Sequence, residues 1–358
     1  MPTKSLYARP PAGMTHAVSA KDLVTSFNWE YDEQRPKLVQ LYDAAKKQQW
    51  DAAVRLDWSQ SLDPENPMVM DDMMIPIFGT DLWRGLSDKD KAKVRRHQQA
   101  HTLSQFMHGE QGALMAAAKL VQMAPNVDEK HYAATQAMDE ARHVEVYARL
   151  LHEKFELVYP ITPGLKSLLD MIFAESRWDF AYLGMQVLIE GLALAAFQRI
   201  RDASKNQLAA AVNAYVMQDE ARHVSFGRIA LRDYYPKLSE AERAEREEFV
   251  VQSCYHMRDR FDQRDLWGPL GFDEKQCVAL VMQSEMMKQF RHRLFSRIVP
   301  TVKDIGLWSP KVQKAFAEMG AIQFAEIDIE ALLAKDQQVA AEFDAGTTGR
   351  FAPRAAAE

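Results

Sequence analysis

The sequence predicts an all-α protein built around a four-helix bundle. Long segments repeat apolar residues at helical spacings of three and four, with prolines concentrated at their junctions. Short apolar runs such as "VMDDMMIPIF" contain a proline and two acidic residues, so no convincing strand competes with the helices. The hexapeptide "DEARHV" occurs at residues 139–144 and again at 219–224, which indicates that a helical unit is duplicated.

The apolar periodicity assigns the elements in chain order. An N-terminal extension covers residues 1–35, and a first helix is predicted near residues 36–54. Four bundle helices follow at about residues 88–123, 128–155, 176–201 and 204–234. C-terminal helices are predicted near residues 240–263, 273–298, 309–320 and 326–344. We therefore expect one helical domain over residues 36–300, further helices packed on it over 301–344, and a mobile polar tail at 345–358.

Composition limits the classes of function. At 358 residues and 47% hydrophobic, the chain can bury a large core. Its 44 basic and 50 acidic residues give a net charge of −6, which argues against nucleic acid as a partner. The two cysteines, Cys254 and Cys277, are too few for a disulfide framework or a cysteine zinc site. The sequence begins without a secretory apolar segment and has no long uninterrupted apolar run, so we expect a soluble, cytoplasmic protein without a membrane span.

The repeated hexapeptide places a glutamate and a histidine three residues apart in each copy. Glu140 and His143, like Glu220 and His223, are neighbours on a helix surface. Each Glu-x-x-His motif lies 30 residues after another glutamate on an apolar helix face, Glu110 in one case and Glu190 in the other. Two such helix pairs in one bundle would bring four carboxylates and two imidazoles together. Four buried carboxylates need two divalent cations, and this set of ligands suits iron or manganese.

The other charged residues of the hexapeptide predict a supporting shell. A metal-bound histidine normally donates its second ring N–H to a carboxylate. We expect Asp219 to hold His143 and Asp139 to hold His223, because each aspartate points toward the adjoining helix. Arg142 and Arg222 would pair with these aspartates. The alternative is that the hexapeptides form only structural salt bridges in a duplicated helical protein.

These paired "DEARH" motifs, each preceded by a bundle glutamate, resemble the ferritin-like di-iron carboxylate superfamily over about residues 36–300. The resemblance is to its oxygen-activating branch, which includes bacterial multicomponent monooxygenase hydroxylases, ribonucleotide reductase small subunits, acyl-carrier-protein desaturases and aminobenzoate-type N-oxygenases. It implies that one iron ion is bound by Glu110, Glu140 and His143. The second iron, or manganese in a mixed pair, would be bound by Glu190, Glu220 and His223, with Glu140 and Glu220 bridging.

The sequence departs from each of these relatives. Hydroxylases and desaturases typically have a threonine where this chain has Leu194. The radical-forming tyrosine of ribonucleotide reductase has a counterpart in Tyr147, but the first ligand there is usually aspartate rather than Glu110. Tyr147 therefore has either a redox role or the role of a core tyrosine with a hydrogen-bond partner. Aminobenzoate-type N-oxygenases usually carry a third histidine one turn before the last glutamate, where this chain has Val216.

Small residues near the ligands would leave room for an organic substrate, although close helix packing explains them equally well. The residues expected to line such a pocket are Phe106, Ala113, Leu114, Gln186, Leu194 and Phe226.

Three classes of function remain open from the sequence. The first is a di-iron oxidoreductase that uses dioxygen to hydroxylate, N-oxygenate or desaturate a small or medium organic substrate. It would need a separate ferredoxin or reductase, because the sequence has no flavin or nicotinamide motif. The second is a radical-generating subunit, and the third is an iron-storage or ferroxidase protein. The resemblance also implies a homodimer.

Overall fold

The computed structural model describes residue 16, residues 18–32 and residues 35–344. In this part of the chain every regular element is a helix and no strand occurs. The α-helices are α1 Pro36–Lys47, α2 Ala52–Arg55, α3 Asp81–Gly85, α4 Asp88–Met123, α5 Val127–Arg149, α6 Pro163–Ala174, α7 Trp178–Tyr182, α8 Glu190–Ala203, α9 Gln207–Arg232, α10 Glu240–Asp259, α11 Arg264–Leu270, α12 Glu274–Gln283, α13 Glu285–Arg293, α14 Ile298–Asp304, α15 Pro310–Glu318, α16 Ile329–Asp336 and α17 Val339–Asp344. The predicted tail at 345–358 and most of the predicted N-terminal extension lie outside the described residues.

Shorter helical turns complete the architecture. The 3₁₀ turns are Asp72–Met74, Tyr235–Lys237, Leu294–Ser296 and Ile322–Glu326. One π-helical segment, Leu150–Phe155, extends α5, and a second, Leu183–Ile189, joins α7 to α8. The second junction produces one continuous helix, Trp178–Ala203.

Three of the four bundle helices begin at polar capping residues. Ser87 accepts a hydrogen bond from the backbone of Asp90 and so caps α4, while Asn126 caps α5 and Asn206 caps α9 in the same way. These caps satisfy backbone N–H groups that have no partner within the helix. Helix α4 is 36 residues long and therefore spans about 54 Å. It is the longest of the four helices that surround the site described below.

The four helices pack as two pairs, α4 with α5 and α8 with α9, and α5 also contacts α9. This is the predicted all-α, ferritin-like arrangement. Helix α1 lies against α5 and α9, while α16 and α17 pack on α9. The helix Trp178–Ala203 is long and apolar enough to cross a membrane, but 89% of its most apolar window is buried inside the protein. Its burial identifies it as a core helix of the bundle.

Several predicted helices are interrupted in the structure. The segment predicted near residues 36–54 forms α1 and α2 with a break between them, and the segment near 273–298 breaks at Ser284. Ser284 has non-helical dihedral angles of φ −56° and ψ 121°, and it ends α12 directly before α13 begins. Helix α6, which begins with Pro163, was not predicted.

Candidate metal centre

Six acidic and histidine side chains meet inside the bundle, one or two from each helix. Glu110 comes from α4, Glu140 and His143 from α5, Glu190 from the start of α8, and Glu220 and His223 from α9. None is more than 4% exposed to solvent. Their ligand atoms form two groups, each within 4.8 Å: Glu110, Glu140, His143 and Glu220 in one, and Glu140, Glu190, Glu220 and His223 in the other. Glu140 and Glu220 belong to both groups, which is the arrangement that two bridged metal ions require.

The Nδ1 atoms of both histidines face the carboxylates. His143 Nδ1 lies 3.3 Å from an oxygen of Glu110, 3.2 Å from Glu140 and 3.1 Å from Glu220. His223 Nδ1 lies 3.0 Å from Glu140 and 3.4 Å from Glu220. Each imidazole therefore presents one nitrogen to the same space as the shared glutamates.

The opposite ring nitrogens contact aspartates across the bundle. His143 Nε2 on α5 lies 3.1 Å from Asp219 Oδ2 on α9, and His223 Nε2 on α9 lies 3.3 Å from Asp139 Oδ2 on α5. Each hexapeptide thus holds the histidine of the other. A carboxylate at this position fixes the ring orientation and the tautomer of a metal-binding imidazole.

Both arginines of the repeat neutralise this pair of aspartates. Arg142 Nη2 lies 2.5 Å from Asp139 and 3.1 Å from Asp219. Arg222 donates a short hydrogen bond to Asp219, and its Nη2 lies 3.9 Å from Asp139. All four side chains are buried. Two guanidinium groups therefore balance two buried carboxylates, which leaves the glutamates of the cluster to be balanced by other positive charges.

The pKa values of the cluster show how the protein alone compensates this charge. Burial and the negative charge of Glu220 raise the pKa values of Glu110 and Glu190 well above the usual range. Burial alone would lower the pKa of His143, but hydrogen bonds to Asp219, Glu110 and other carboxylates raise it well above its usual value. Protons thus supply positive charge in the metal-free protein. Divalent cations could replace them, because metal binding releases protons from its ligands.

Unsatisfied atoms at the cluster fit this replacement. Among the described residues, both carboxylate oxygens of Glu220, Oε2 of Glu190 and Nδ1 of His223 are buried without a hydrogen bond of normal geometry. Glu190, Glu220 and His223 belong to one group whose ligand atoms lie within 4.8 Å of one another, as ligands around an ion do. Oxygen donors with one nitrogen at each position suit iron or manganese. The residues present therefore fit a dinuclear metal site.

Gln136 is a polar residue of the site that sequence reasoning missed. It is fully buried on α5, and its side-chain amide donates to Glu190 Oε1 at 2.8 Å and to Glu140 Oε1 at 3.2 Å. Gln186 in turn donates to Gln136 Oε1 at 3.2 Å. A signal was present in the sequence, since Gln136 lies one turn before Glu140 on the same helix face.

The residues that directly follow α1 supply three further contacts that sequence reasoning missed. Trp50 donates its indole N–H to Asp219 Oδ2 at 2.9 Å. Gln49 donates to Asp139 Oδ1 at 2.7 Å, and Gln48 accepts a hydrogen bond from Arg222. These residues lie about 90 and 170 positions away from their partners along the chain, so no local spacing could have revealed them.

Glu190 directly follows the π-helical segment Leu183–Ile189. A π-helical turn widens the helix and changes which face the following residues present. Because Glu190 begins α8 at this point, the segment sets the rotation that brings its carboxylate to the cluster.

Tyr147 is fully buried, with its hydroxyl directed at Asn213 rather than at a carboxylate. The Oη to Oδ1 distance is 3.1 Å, and the amide of Asn213 donates to the backbone carbonyl of Ala209 at 2.8 Å. Burial, with the charges of Glu110 and Glu220, raises the pKa of Tyr147 well above its usual value. The phenol is therefore neutral and hydrogen-bonded, as a core tyrosine would be.

A cavity of about 140 Å³ reaches the cluster at Glu110, Glu190 and Glu220. Of the residues predicted to line a pocket, Phe106 and Ala113 do so. The other predicted residues, Leu114, Gln186, Leu194 and Phe226, are not among the lining residues. Phe226 packs instead between the rings of Tyr132 and Tyr182, with centroid separations of 4.3 and 4.9 Å.

Comparison with known families adds one finding. Residues 32–306 match the family model described as p-aminobenzoate N-oxygenase AurF. The matched range includes all six clustered residues and the four charged residues around them. No curated protein matches the chain.

Proposed function

The chain belongs to the AurF family of p-aminobenzoate N-oxygenases, and from this premise we propose that it is a di-iron enzyme that uses dioxygen to oxidise a small organic substrate. The favoured reaction is N-oxygenation of an amine. The observation that carries this proposal is the pair of overlapping four-residue groups that share Glu140 and Glu220 beside a cavity.

One iron would be held by Glu110, Glu140, Glu220 and His143, and the other by Glu140, Glu190, Glu220 and His223. When bound, the two iron ions would supply the electrons with which dioxygen is activated. Asp139 and Asp219 would orient the imidazoles, and Gln136 would hold Glu140 and Glu190 through its amide. The largely apolar cavity would exclude water from the substrate while it reacts.

Conversion of an amine to a hydroxylamine by dioxygen consumes two electrons and two protons from outside and yields one water molecule. The chain contains no flavin or nicotinamide motif, so these electrons would come from a separate ferredoxin or reductase. We also propose that the protein is cytoplasmic and forms a homodimer. Size-exclusion chromatography with light scattering would test the dimer. The family match favours this oxygenase over the radical-generating and iron-storage alternatives.

Iron content is the first measurement. The purified protein, loaded anaerobically with ferrous iron, should contain two iron ions per chain and consume dioxygen when an arylamine such as 4-aminobenzoate is present. Glu140→Ala and His223→Ala should lose bound iron, because each removes a ligand atom. Glu145→Ala is the matched control, since Glu145 is an exposed residue on the same helix as Glu140.

Retention of two iron ions by both ligand variants would contradict the assignment of the site. Iron binding without any dioxygen-dependent conversion of amines would instead leave the metal site intact and argue against N-oxygenation.

A further inference from the structure

The segment between α2 and α3 contributes one wall of the cavity and contains a strained residue. Met68 and Met70, here called the methionine wall, are buried and line the cavity together with Met74 and Ile75. Val69, between the two methionines, has a φ of +50°. This left-handed region is unfavourable for a β-branched residue because the side chain crowds the backbone. In the described part of the chain no other β-branched residue has a positive φ.

Hydrogen bonds, and not the side chain of Val69, hold this conformation. The side chain is 39% exposed to solvent. The N–H of Val69 donates to the carbonyl of Asn66 at 2.8 Å. The side chain of Asn66 closes the turn, because its amide donates to the carbonyl of Met70 at 2.8 Å and its Oδ1 accepts from the N–H of Met70 at 3.1 Å.

Two parts of the helical bundle anchor this Asn66–Met70 turn. Gln99 of α4 donates to Asn66 Oδ1 at 2.7 Å and accepts from the N–H of Met68 at 2.9 Å. Between α8 and α9, the hydroxyl of Ser204 donates to the carbonyl of Met68 at 3.0 Å, and the next two backbone N–H groups donate to it at 3.1 and 3.2 Å. The same three helices carry the glutamates that line the cavity.

The strain at Val69 makes the turn dependent on these anchors. Strained backbone conformations persist only where the surrounding structure over-determines them, and they are most frequent at functional sites. Because valine itself disfavours the turn, the hydrogen bonds from Gln99 and at Ser204 must impose it. Loss of either anchor would let Val69 return to an extended conformation, which would displace Met68 and Met70 from the cavity wall.

The methionine wall and the metal-site carboxylates face one cavity at different levels. Gln99, which anchors the wall, lies about three turns before Glu110 on α4. A thioether is flexible, polarisable and only a weak hydrogen-bond acceptor, so this wall distinguishes ligands by the size and shape of apolar groups. Arg95 also lines the cavity, but its guanidinium group is paired with Asp72 at 2.6 and 2.7 Å.

We propose that the Asn66–Met70 turn determines substrate specificity. Met68 and Met70 form an adaptable apolar wall that limits the size of an apolar substituent on the substrate. Gln99 is the positioning residue that holds this wall against the strain at Val69. The inference rests on the proposed function, since it takes the cavity as the place where the amine substrate binds.

Equilibrium binding to the ferrous-loaded protein under anaerobic conditions tests this inference without any oxidation. The probes are 4-alkylanilines with alkyl chains from methyl to hexyl, and calorimetry measures their affinity. In the wild type, affinity should rise with chain length and then fall at a limit set by the wall. Met68→Ala and Met70→Ala should move the limit to longer chains and bind the first excluded homologue about tenfold more tightly, because each relieves overpacking. Met115→Ala is the control, since Met115 is 55% exposed on α4.

A second set of variants tests the role of Gln99. Gln99→Leu removes both hydrogen bonds to the turn and should reduce the preference for the best homologue over the first excluded one about tenfold. Addition of Val69→Gly should restore part of this preference, because glycine adopts the turn without strain. Val69 is not among the residues that line the cavity, so a rescue would act through the backbone. Val69→Gly alone should leave the preference unchanged.

An unchanged chain-length limit in both alanine variants, no rescue of Gln99→Leu by Val69→Gly, or no binding of any 4-alkylaniline would each overturn the inference. The outcome is separate from that of the proposed function. A limit that shifts as expected, without oxidation of any amine, would contradict the proposed function alone. Oxidation of amines with an unchanged limit in the variants would contradict this inference alone.

Discussion

Aspartates 139 and 219 explain why the same six residues are needed twice. Asp139 lies on α5 and contacts His223 of α9, while Asp219 lies on α9 and contacts His143 of α5. The glutamate beside each aspartate turns to the shared cluster, and the arginine three residues later balances the aspartate charge. Every charged position of the hexapeptide thus has a partner in the opposite copy or at the cluster.

Asp219→Asn should weaken metal binding about 10–100-fold. The amide keeps the shape of the side chain but removes the negative charge that holds His143 and balances Arg142 and Arg222. Titration of the metal-free protein with ferrous iron under anaerobic conditions measures the change. Asp233→Asn is the control. Asp233 directly follows α9, the helix that carries Asp219, but its side chain is 60% exposed. Unchanged iron affinity in Asp219→Asn would show that Asp219 does not support the site.

Sequence spacing predicts those site residues whose side chains are rarely found on an apolar helix face. A glutamate among apolar residues and a Glu-x-x-His motif on the next helix are rare together, so Glu110 and Glu190 could be assigned from the sequence. Gln136 and Trp50 could not. A glutamine on a helix and a tryptophan after one are common for structural reasons, and Trp50 reaches Asp219 only through the packing of α1 against α9.

At the scale of the helices, the glycines near the site fall into two kinds: some allow close packing of neighbouring helices, and others line the cavity. A side chain at Gly227 on α9 would place its Cβ 2.5 Å from Cβ of Gln186, and one at Gly112 on α4 would lie 2.5 Å from the Leu169 side chain. Close helix contact therefore requires glycine at position 227, whereas at position 112 the end of the flexible Leu169 side chain would have to move. Gly109, one turn from Gly112, lines the cavity, and an added Cβ there meets no atom within 4 Å. The sequence alone left both explanations open for these residues.

Gly227→Ala should destabilise the protein by about 1–3 kcal/mol, because the neighbouring atom belongs to the rigid base of Gln186 and the two helices must separate. Gly109→Ala is the matched control with the opposite sign. It should stabilise the protein by about 0.5–1 kcal/mol, since alanine is favoured over glycine in an open helical position. Chemical denaturation followed by circular dichroism measures both. Equal effects of the two substitutions would contradict this assignment of the glycines.

Helix periodicity predicts long helices better than their interruptions. The bounds of α4 agree with the prediction at both ends, because Ser87 and the proline after Met123 are local signals. Periodicity shows neither the break at Ser284, which lies between Gln283 and Glu285, nor the π-helical segment before Glu190, which lies within an apolar run. They depend on contacts with other helices, which a single helix pattern does not contain.

At the scale of the whole molecule, a buried arginine connects the bundle to the C-terminal helices. Arg297 donates a hydrogen bond to Gln198 of α8 at 2.8 Å. It also donates to both carboxylate oxygens of Asp336, at the end of α16, at 3.1–3.2 Å. Both charged side chains are buried. The same apolar cluster contains Leu183 and Val187 of the bundle together with Val302, Val312 and Phe316. This packing supports the prediction that the helices over 301–344 fold with the bundle.

Asp336→Ala should therefore destabilise the entire protein and not the C-terminal helices alone. Removal of one partner from a buried ion pair leaves Arg297 uncompensated, which costs about 3–5 kcal/mol. Thermal unfolding followed by circular dichroism should show one transition, shifted to lower temperature, and iron should be released in that same transition. Glu326→Ala serves as the control, because Glu326 is 84% exposed in its pair with Lys303 and its loss should leave the transition nearly unchanged. A separate early transition that leaves iron bound would instead mean that the C-terminal helices unfold independently. Arg297 could then reach water while the four helices that hold the metal-site residues stay folded.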